Sequence, residues 1–154
     1  VTYCGLVRGN LFVKKYVCMF LTAAILYFIW HNSLQPANLS EQQSLIFAQI
    51  AQYLLQRTVG RGFPLYEADH IIRKLAHMTE FAMLGGALFC AMRQFRLRRG
   101  WVIFLSLLLG LLAACVDEYL QQFSPGRAMQ LSDVGIDFAG VCLGSGLAAR
   151  FLMR

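Results

Sequence analysis

The sequence predicts an all-α, polytopic membrane protein: a bundle of four transmembrane helices with a further amphipathic helix at its outer side. Of its 154 residues, 58% are apolar and 14% are charged, whereas a typical soluble domain is roughly 45–50% apolar and about 25% charged. The mean hydropathy of +0.54 agrees, and four separate apolar runs approach the length of about 20 residues that crosses a bilayer. These observations exclude a disordered chain and disfavour a soluble globule. The length predicts a single domain, residues 1–154.

The four apolar runs define the predicted spans. They reach the length of a bilayer crossing when flanking polar residues are included, because long side chains such as Lys14 and Lys15 can extend their charges to the interface. Small residues four positions apart, such as Gly140 and Gly144, predict close contacts between helix backbones. The spans are expected at about residues 13–31, 72–92, 101–120 and 134–153.

A fifth helix is predicted outside the spans, at about residues 41–57. Ser40 is its expected N-cap, with Gln43 three positions later as in a capping box. We expect the helix either to lie on the membrane surface or to pack on the span ends as a lid, and residues 60–64 form a turn-rich linker after it. Apolar residues recur on one side and glutamines on the other, which is typical of an amphipathic helix: Leu45, Ile46, Ile50, Tyr53 and Leu54 against Gln42, Gln49, Gln52 and Gln56.

Charge is distributed unequally between the two ends of the predicted bundle. One end carries nine of the 14 Lys and Arg residues and no acid, whereas the other carries five cations and all eight acids. Because short cytoplasmic loops are rich in Lys and Arg, both termini and the 93–99 loop are predicted to be cytoplasmic. The basic pI of 9.3 therefore reflects membrane topology. The sequence shows no soluble module with a basic face, so no nucleic-acid partner is expected.

Charged residues enter the spans at the acidic end and are expected to meet in the bundle interior. Counted from the nearest arginine at the other end, Glu80 and Asp137 are each 13 residues away, or roughly 20 Å at about 1.5 Å per residue. Charges at such a depth cost about 2.5–3.5 kcal/mol each on insertion scales, so they should find partners inside the bundle. The predicted polar cluster, assembled from helical spacing, consists of Arg73, His77, Glu80, Asp117, Glu118, Gln121, Arg127, Asp133 and Asp137.

Three interpretations of this polar cluster stay open. It could be a network that fixes the register of the helices, although ionisable groups within membrane spans are functional by default. It could hold a divalent cation, since carboxylates and histidine suit such ions. The spacing matches no metal motif, however, and we predict neither a metal nor a cofactor. It could also be a pocket for a polar head group, which acts by binding alone or by acid–base chemistry.

Four blocks of the sequence resemble the VanZ-like family of bacterial membrane proteins, in the order in which the family has them, over about residues 27–148. Residues 73–81, RKLAHMTEF, are similar to the family's RKxxHFxEY block, and residues 117–127, DEYLQQFSPGR, to its DExxQxFxPGR block. The other two blocks are a Ser- and Gln-Pro-containing segment at 32–44 and a final segment of acids and glycines at 133–144. The chain departs from these patterns at Met78, Phe81 and Leu120, the last at a position where many members have His.

The resemblance implies a multi-pass protein of the bacterial cytoplasmic membrane that is associated with resistance to glycopeptide antibiotics, best known for teicoplanin. Such drugs act outside the membrane and carry a lipid tail. A polar pocket in the outer leaflet would meet the drug, a membrane lipid or a lipid-linked envelope precursor, and we expect the polar cluster to bind such a head group and protect the cell envelope. The alternatives are a membrane enzyme that modifies a lipid-linked envelope substrate, with Glu80 or Asp137 as general base, and a structural or partner membrane subunit.

Overall fold

The structure, a computed structural model, describes residues 2–59 and 64–152. Residues 60–63 of the predicted linker and residue 153 at the end of the predicted fourth span lie outside this part, as do residues 1 and 154. Within the described residues there are five helices and no strands, and four helices are long and apolar enough to cross a membrane. The predicted fold class is therefore confirmed. The helices are α1 (Thr2–Ser33), α2 (Ala37–Val59), α3 (Leu65–Arg93), α4 (Arg99–Gln121) and α5 (Leu131–Leu152).

The sides of the bundle expose large apolar side chains. Phe20, Tyr27 and Leu147 are 73%, 70% and 58% exposed. In the most apolar 18-residue stretch of α1, which lies within Val13–Ser33, only 6% of the residues are buried. Soluble monomers rarely expose contiguous apolar surface of this kind. Lipid chains are as apolar as leucine, so the same surface is well solvated in a bilayer.

Helix α3 lies at the centre of the bundle, because it contacts each of the other four helices. The hydrophobic core forms where Phe81 and Leu84 of α3 meet Ile29 of α1, Ala114 of α4 and Val141 of α5. All five side chains are 0–1% exposed. The helices that carry the polar groups therefore all pack against α3.

The two ends of the bundle differ in charge. Consecutive spans run in opposite directions, so the last turns of α3 and α5, with Arg93 and Arg150, lie at one end. We call this the arginine end. Lys15 of α1 belongs to it as well, since its Nζ atom lies 4.3 Å from the ring centroid of Phe95 in the α3–α4 loop. The opposite end, formed by the last turns of α1 and α4 and the first turns of α3 and α5, is the polar end.

The closest contact between two helices joins α3 to α5 through small residues. A Cβ atom on Gly140 would overlap the backbone of Met78, and one on Gly144 would overlap the backbone of Ala82. Gly85 of α3 meets the backbone of Val141 in the same way. Because glycine has no side chain, the two backbones touch directly, as the four-residue spacing of Gly140 and Gly144 predicts.

Helix α2 packs on α3 as a lid, and it does so with a face that hydropathy does not mark. Ser44 and Ala48 are buried, whereas Ile46, Ile50 and Tyr53 are 62%, 53% and 56% exposed. The predicted apolar stripe therefore points away from the bundle. The lid interpretation is therefore confirmed for the described residues, because buried Ser44 and Ala48 face α3. The exposed apolar stripe is compatible with a membrane interface, which stays a prediction.

The start of α2 shows that the prediction of Ser40 as N-cap was wrong. The helix begins at Ala37, because the carbonyl of Pro36 already accepts the N–H groups of Leu39 and Ser40 at 3.1 and 3.3 Å. Proline fixes its own φ near the helical value, which favours a helix start at this point. Ser40 lies inside the first turns, and its carbonyl accepts the Ser44 hydroxyl at 3.1 Å.

Gly144→Ala should lower the free energy of unfolding in detergent by about 1–3 kcal/mol, because the added methyl group must displace the α3 backbone. Gly146→Ala is the matched control, since a Cβ atom at that position meets nothing within 4 Å. Alanine is also the better helix former by about 1 kcal/mol, so the control should be neutral or slightly stabilising. Thermal unfolding of both purified variants makes the comparison, and equal melting temperatures would contradict the close contact.

Candidate functional site

The nine residues of the predicted polar cluster come from four segments that meet at the polar end. Eight of them line three adjoining cavities, and the ninth, Asp117, accepts a hydrogen bond from Gln121 at 3.0 Å. The structure therefore brings the whole set together. Helix α3 supplies Arg73, His77 and Glu80, α4 supplies Asp117, Glu118 and Gln121, the α4–α5 loop supplies Arg127, and α5 supplies Asp133 and Asp137.

Helix α3 carries a row of ionisable side chains four residues apart, Asp69, Arg73 and His77. The Nη2 atom of Arg73 lies 3.1 Å from Oδ2 of Asp69. The other oxygen of Asp69 accepts a hydrogen bond from the hydroxyl of Ser44 on α2. This buried carboxylate therefore joins the lid to α3 and orients Arg73 towards the cavities.

The last turn of α4 supplies two buried carboxylates that share one donor. The amide Nε2 of Gln121 lies 3.0 Å from Oδ2 of Asp117 and 2.8 Å from Oε1 of Glu118. The second oxygen of Glu118 accepts the backbone N–H of Gln130 at 2.9 Å. These bonds fix both side chains, which are 0% and 1% exposed. One oxygen of Asp117, Oδ1, keeps no partner among the described residues.

The first turns of α5 hold one paired and one unpaired carboxylate. Asp133 lies 2.9 Å from Nζ of Lys74, and both side chains are partly exposed. Asp137, one turn further into the bundle, is 1% exposed, and its Oδ2 atom has no partner in the described part of the chain. The two acids of the predicted final block therefore differ sharply in environment.

The α4–α5 loop holds Arg127 in place by packing against the α1–α2 junction. The Ser124 hydroxyl donates to the carbonyl of Ser33 at 2.9 Å, and the N–H of Ala37 donates to the carbonyl of Pro125 at 3.1 Å. Gly126 adopts a φ of +78°, a conformation that favours glycine. This turn directs the chain so that Arg127 follows at the cavity wall.

Arg127 lines the two larger cavities and forms no ion pair with any residue in the ranges 2–59 and 64–152. Burial lowers the pKa of its guanidinium, and the nearby carboxylates, Asp117 first, oppose this effect. The group stays protonated near neutral pH, because the ordinary pKa of arginine exceeds 12. The polar end therefore presents a positive charge to both spaces.

Two cavities adjoin α3 at the polar end. One of about 200 Å³ lies beneath α2 and is lined in part by Asn32, Phe47 and Glu80. The other, of about 280 Å³, extends towards the α4–α5 loop. Both are lined by Arg73, His77, Arg127 and Ser40. They therefore form one polar region around the same cations.

A third cavity of about 30 Å³ lies between His77, Glu118 and Asp137. His77 is the residue that lines all three cavities. Beside this small space, His77, Asp117 and Asp137 each offer a ligand atom, and these atoms lie within 4.8 Å of one another. The three side chains come from three helices, so no local spacing motif could have indicated a metal site.

Two contributors to the site were not predicted from the sequence as cluster members. Asp69 orients Arg73, and its four-residue spacing from Arg73 was the available signal, but it precedes the predicted span. Asn32, at the end of α1, directs its amide towards Oε1 of Glu80 at 3.4 Å. Asn32 belongs to the first block that resembles the family, but no motif in that block indicates a contact with Glu80.

The comparison with known families agrees with this geometry. A family model described as VanZ/LLP1 matches residues 18–153, which include the whole polar cluster, part of α1 and all of α2 to α5. The chain belongs to the VanZ/LLP1 family. The predicted VanZ-like resemblance is thereby confirmed. No match was found among curated proteins or solved structures.

Ser44→Ala should lower the free energy of unfolding by about 1–3 kcal/mol, because the buried carboxylate of Asp69 loses a donor. Ser132→Ala is the matched control, since its hydroxyl contacts the neighbouring Asp133 at the exposed start of α5. Thermal unfolding in detergent compares the two variants. A Ser44→Ala protein as stable as the control would show that the lid is not held through Asp69.

Proposed function

We propose that this VanZ/LLP1 family member protects the bacterial cell envelope by binding an anionic head group in the outer leaflet of the cytoplasmic membrane. The head group belongs to a membrane lipid, a lipid-linked envelope precursor or a teicoplanin-type drug. The observation that carries the proposal is the pair of cavities lined by both Arg73 and Arg127. The family's association with glycopeptide resistance supports the envelope role.

The donors around the cavities suit a phosphate or carboxylate. Arg127 has no ion-pair partner among the described residues. Arg73 is paired with Asp69 through Nη2, but its buried Nε has no hydrogen-bond partner there. A guanidinium binds phosphate through parallel N–H bonds, which gives geometric specificity as well as affinity. An anion between these two arginines would pair with Arg127 and accept a hydrogen bond from Nε of Arg73.

The size of the cavities decides which part of a ligand enters. The two adjoining cavities, of about 200 and 280 Å³, together reach only the lower part of the roughly 300–1,000 Å³ range of sites that enclose drug-sized molecules. A head group fits, whereas a whole glycopeptide does not. Phe47 lines the first cavity and is 62% exposed, so the remainder of an amphiphilic ligand would extend along the apolar side of α2.

The charge distribution supports a site that faces the outside of the cell. The arginine end carries the excess of Lys and Arg, and the positive-inside rule assigns that end to the cytoplasm. Both termini are then cytoplasmic, and the polar end lies in the outer leaflet. The exposed apolar stripe of α2 would rest at the membrane interface there.

A membrane enzyme is the second candidate, and Glu80 is the observation that favours it. Its Oε1 atom faces the amide of Asn32, while Oε2 is buried with no partner in the described residues. A carboxylate beside a bound anion is placed for general base chemistry. Glu80→Gln would then keep head-group binding and lose turnover, whereas pure binding predicts no turnover by either protein.

Arg127→Gln should remove protection in a teicoplanin-sensitive bacterial host, because the lost charged contacts weaken anion binding by about 1.5–3 kcal/mol, or roughly 10–100-fold. The measurement is the minimum inhibitory concentration of teicoplanin at matched membrane levels. Cells with the intact chain should tolerate more drug than cells without it. Arg99→Gln, which removes a cation at the exposed start of α4, should protect fully.

Two results would contradict the proposed function. One is full protection by Arg127→Gln at the same membrane abundance as the intact chain. The other is an intact chain that accumulates in the membrane and does not protect the host.

A further inference from the structure

Two buried carboxylates of the polar cluster form no ion pair within the described residues. Asp117 and Asp137 are 0% and 1% exposed, and neither forms an ion pair with a described Lys, Arg or His. Each keeps one buried oxygen without a hydrogen-bond donor, Oδ1 of Asp117 and Oδ2 of Asp137. Buried charges are normally paired or bound to a metal, because removing them from water is costly.

A histidine completes this pair from a third helix. The Nδ1 atom of His77 is also buried without a partner in the described residues. One ligand atom from each of His77, Asp117 and Asp137 lies within 4.8 Å of the others. Three side chains, each with one unsatisfied buried atom, thus bring ligand atoms close together from α3, α4 and α5.

We propose that His77, Asp117 and Asp137 bind a single divalent transition-metal ion, such as Mn²⁺ or Zn²⁺, at the floor of the head-group site. Two aspartates and a neutral histidine carry two negative charges, which one divalent ion neutralises. Carboxylate oxygens suit Mn²⁺, and imidazole nitrogen suits Zn²⁺. Bonds of about 2.0–2.2 Å place neighbouring ligand atoms roughly 3–4 Å apart, so the three side chains draw slightly together on binding.

The surroundings of the three ligands support this assignment. Gln121 holds Asp117 through Oδ2, which leaves Oδ1 for the ion. Ligating carboxylates are commonly held by such hydrogen bonds. The cavity of about 30 Å³ beside His77 and Asp137 exceeds the roughly 10–15 Å³ that one water molecule needs. A water there would complete the coordination.

The metal site is separate from the arginine site, although His77 borders both. Arg127 lines the two larger cavities and does not line the small one. A bound ion would add positive charge at the floor of the larger cavities and so strengthen the attraction for an anion. Head-group binding through arginine does not require it, and the two proposals can therefore fail independently.

The proposal is tested by measuring metal binding to the full chain. The chain is purified in detergent, any tag is removed, and bound metal is stripped with a chelator. Titration with Mn²⁺, followed by electron paramagnetic resonance, and elemental analysis after Zn²⁺ loading should each give one ion per chain. Asp137→Asn should bind at least about tenfold more weakly. Glu67→Gln removes an exposed carboxylate of α3 and should bind like the intact chain.

Failure of the intact chain to bind either ion would overturn the proposal, as would equal binding by Asp137→Asn and Glu67→Gln. If Asp137→Asn does not fold, the intact chain still decides the matter. An ion that binds the native state raises the melting temperature, so the stripped chain should melt higher after Mn²⁺ or Zn²⁺ is added. A melting temperature that neither ion changes would overturn the proposal.

Discussion

The contact between the backbones of α3 and α5 is the interaction on which the rest of the structure depends. Gly140 lies against Met78, which directly follows His77, and Asp137 lies about one turn before Gly140. The approach that glycine permits therefore sets the distance between the histidine and the carboxylate. A larger side chain at position 140 would separate the helices and the polar groups with them. Packing and chemistry in this bundle are determined by neighbouring residues on the same two helices.

The burial of charged side chains then limits which functions the polar end can have. A bilayer core offers no water to the carboxylates, so each must find a donor or a cation inside the protein. Gln121 and the backbone N–H of Gln130 donate hydrogen bonds to three of the four carboxylate oxygens of Asp117 and Glu118. A network that served only to fix helix register would pair the remaining charges with one another. Here carboxylate oxygens and the Arg127 guanidinium both stay unmatched among the described residues, which is what a site for a charged ligand requires.

Depth and helical spacing predicted most of the site, because a charged residue inside a span has few acceptable orientations. The lid was harder to predict. Hydropathy marks the large apolar residues of α2, but the face that packs on α3 consists of Ser44 and Ala48, which carry little hydropathy signal. Asp69 precedes the apolar run, so the rule that charges inside a span face the bundle interior does not include it, despite its four-residue spacing from Arg73. Convergence of side chains from three different helices, as around His77, has no signature in local spacing.

Binding of an anionic head group beside Arg127 is tested most directly by native mass spectrometry of the full chain, purified from bacterial membranes and released from detergent. The intact chain should retain one phosphate-bearing lipid, and Arg99→Gln should retain it equally. Arg127→Gln should be ligand-free at the same detergent concentration, because the unpaired guanidinium is the principal charge that holds the anion. An intact chain without bound lipid, or equal retention by Arg127→Gln and Arg99→Gln, would contradict this account of the site.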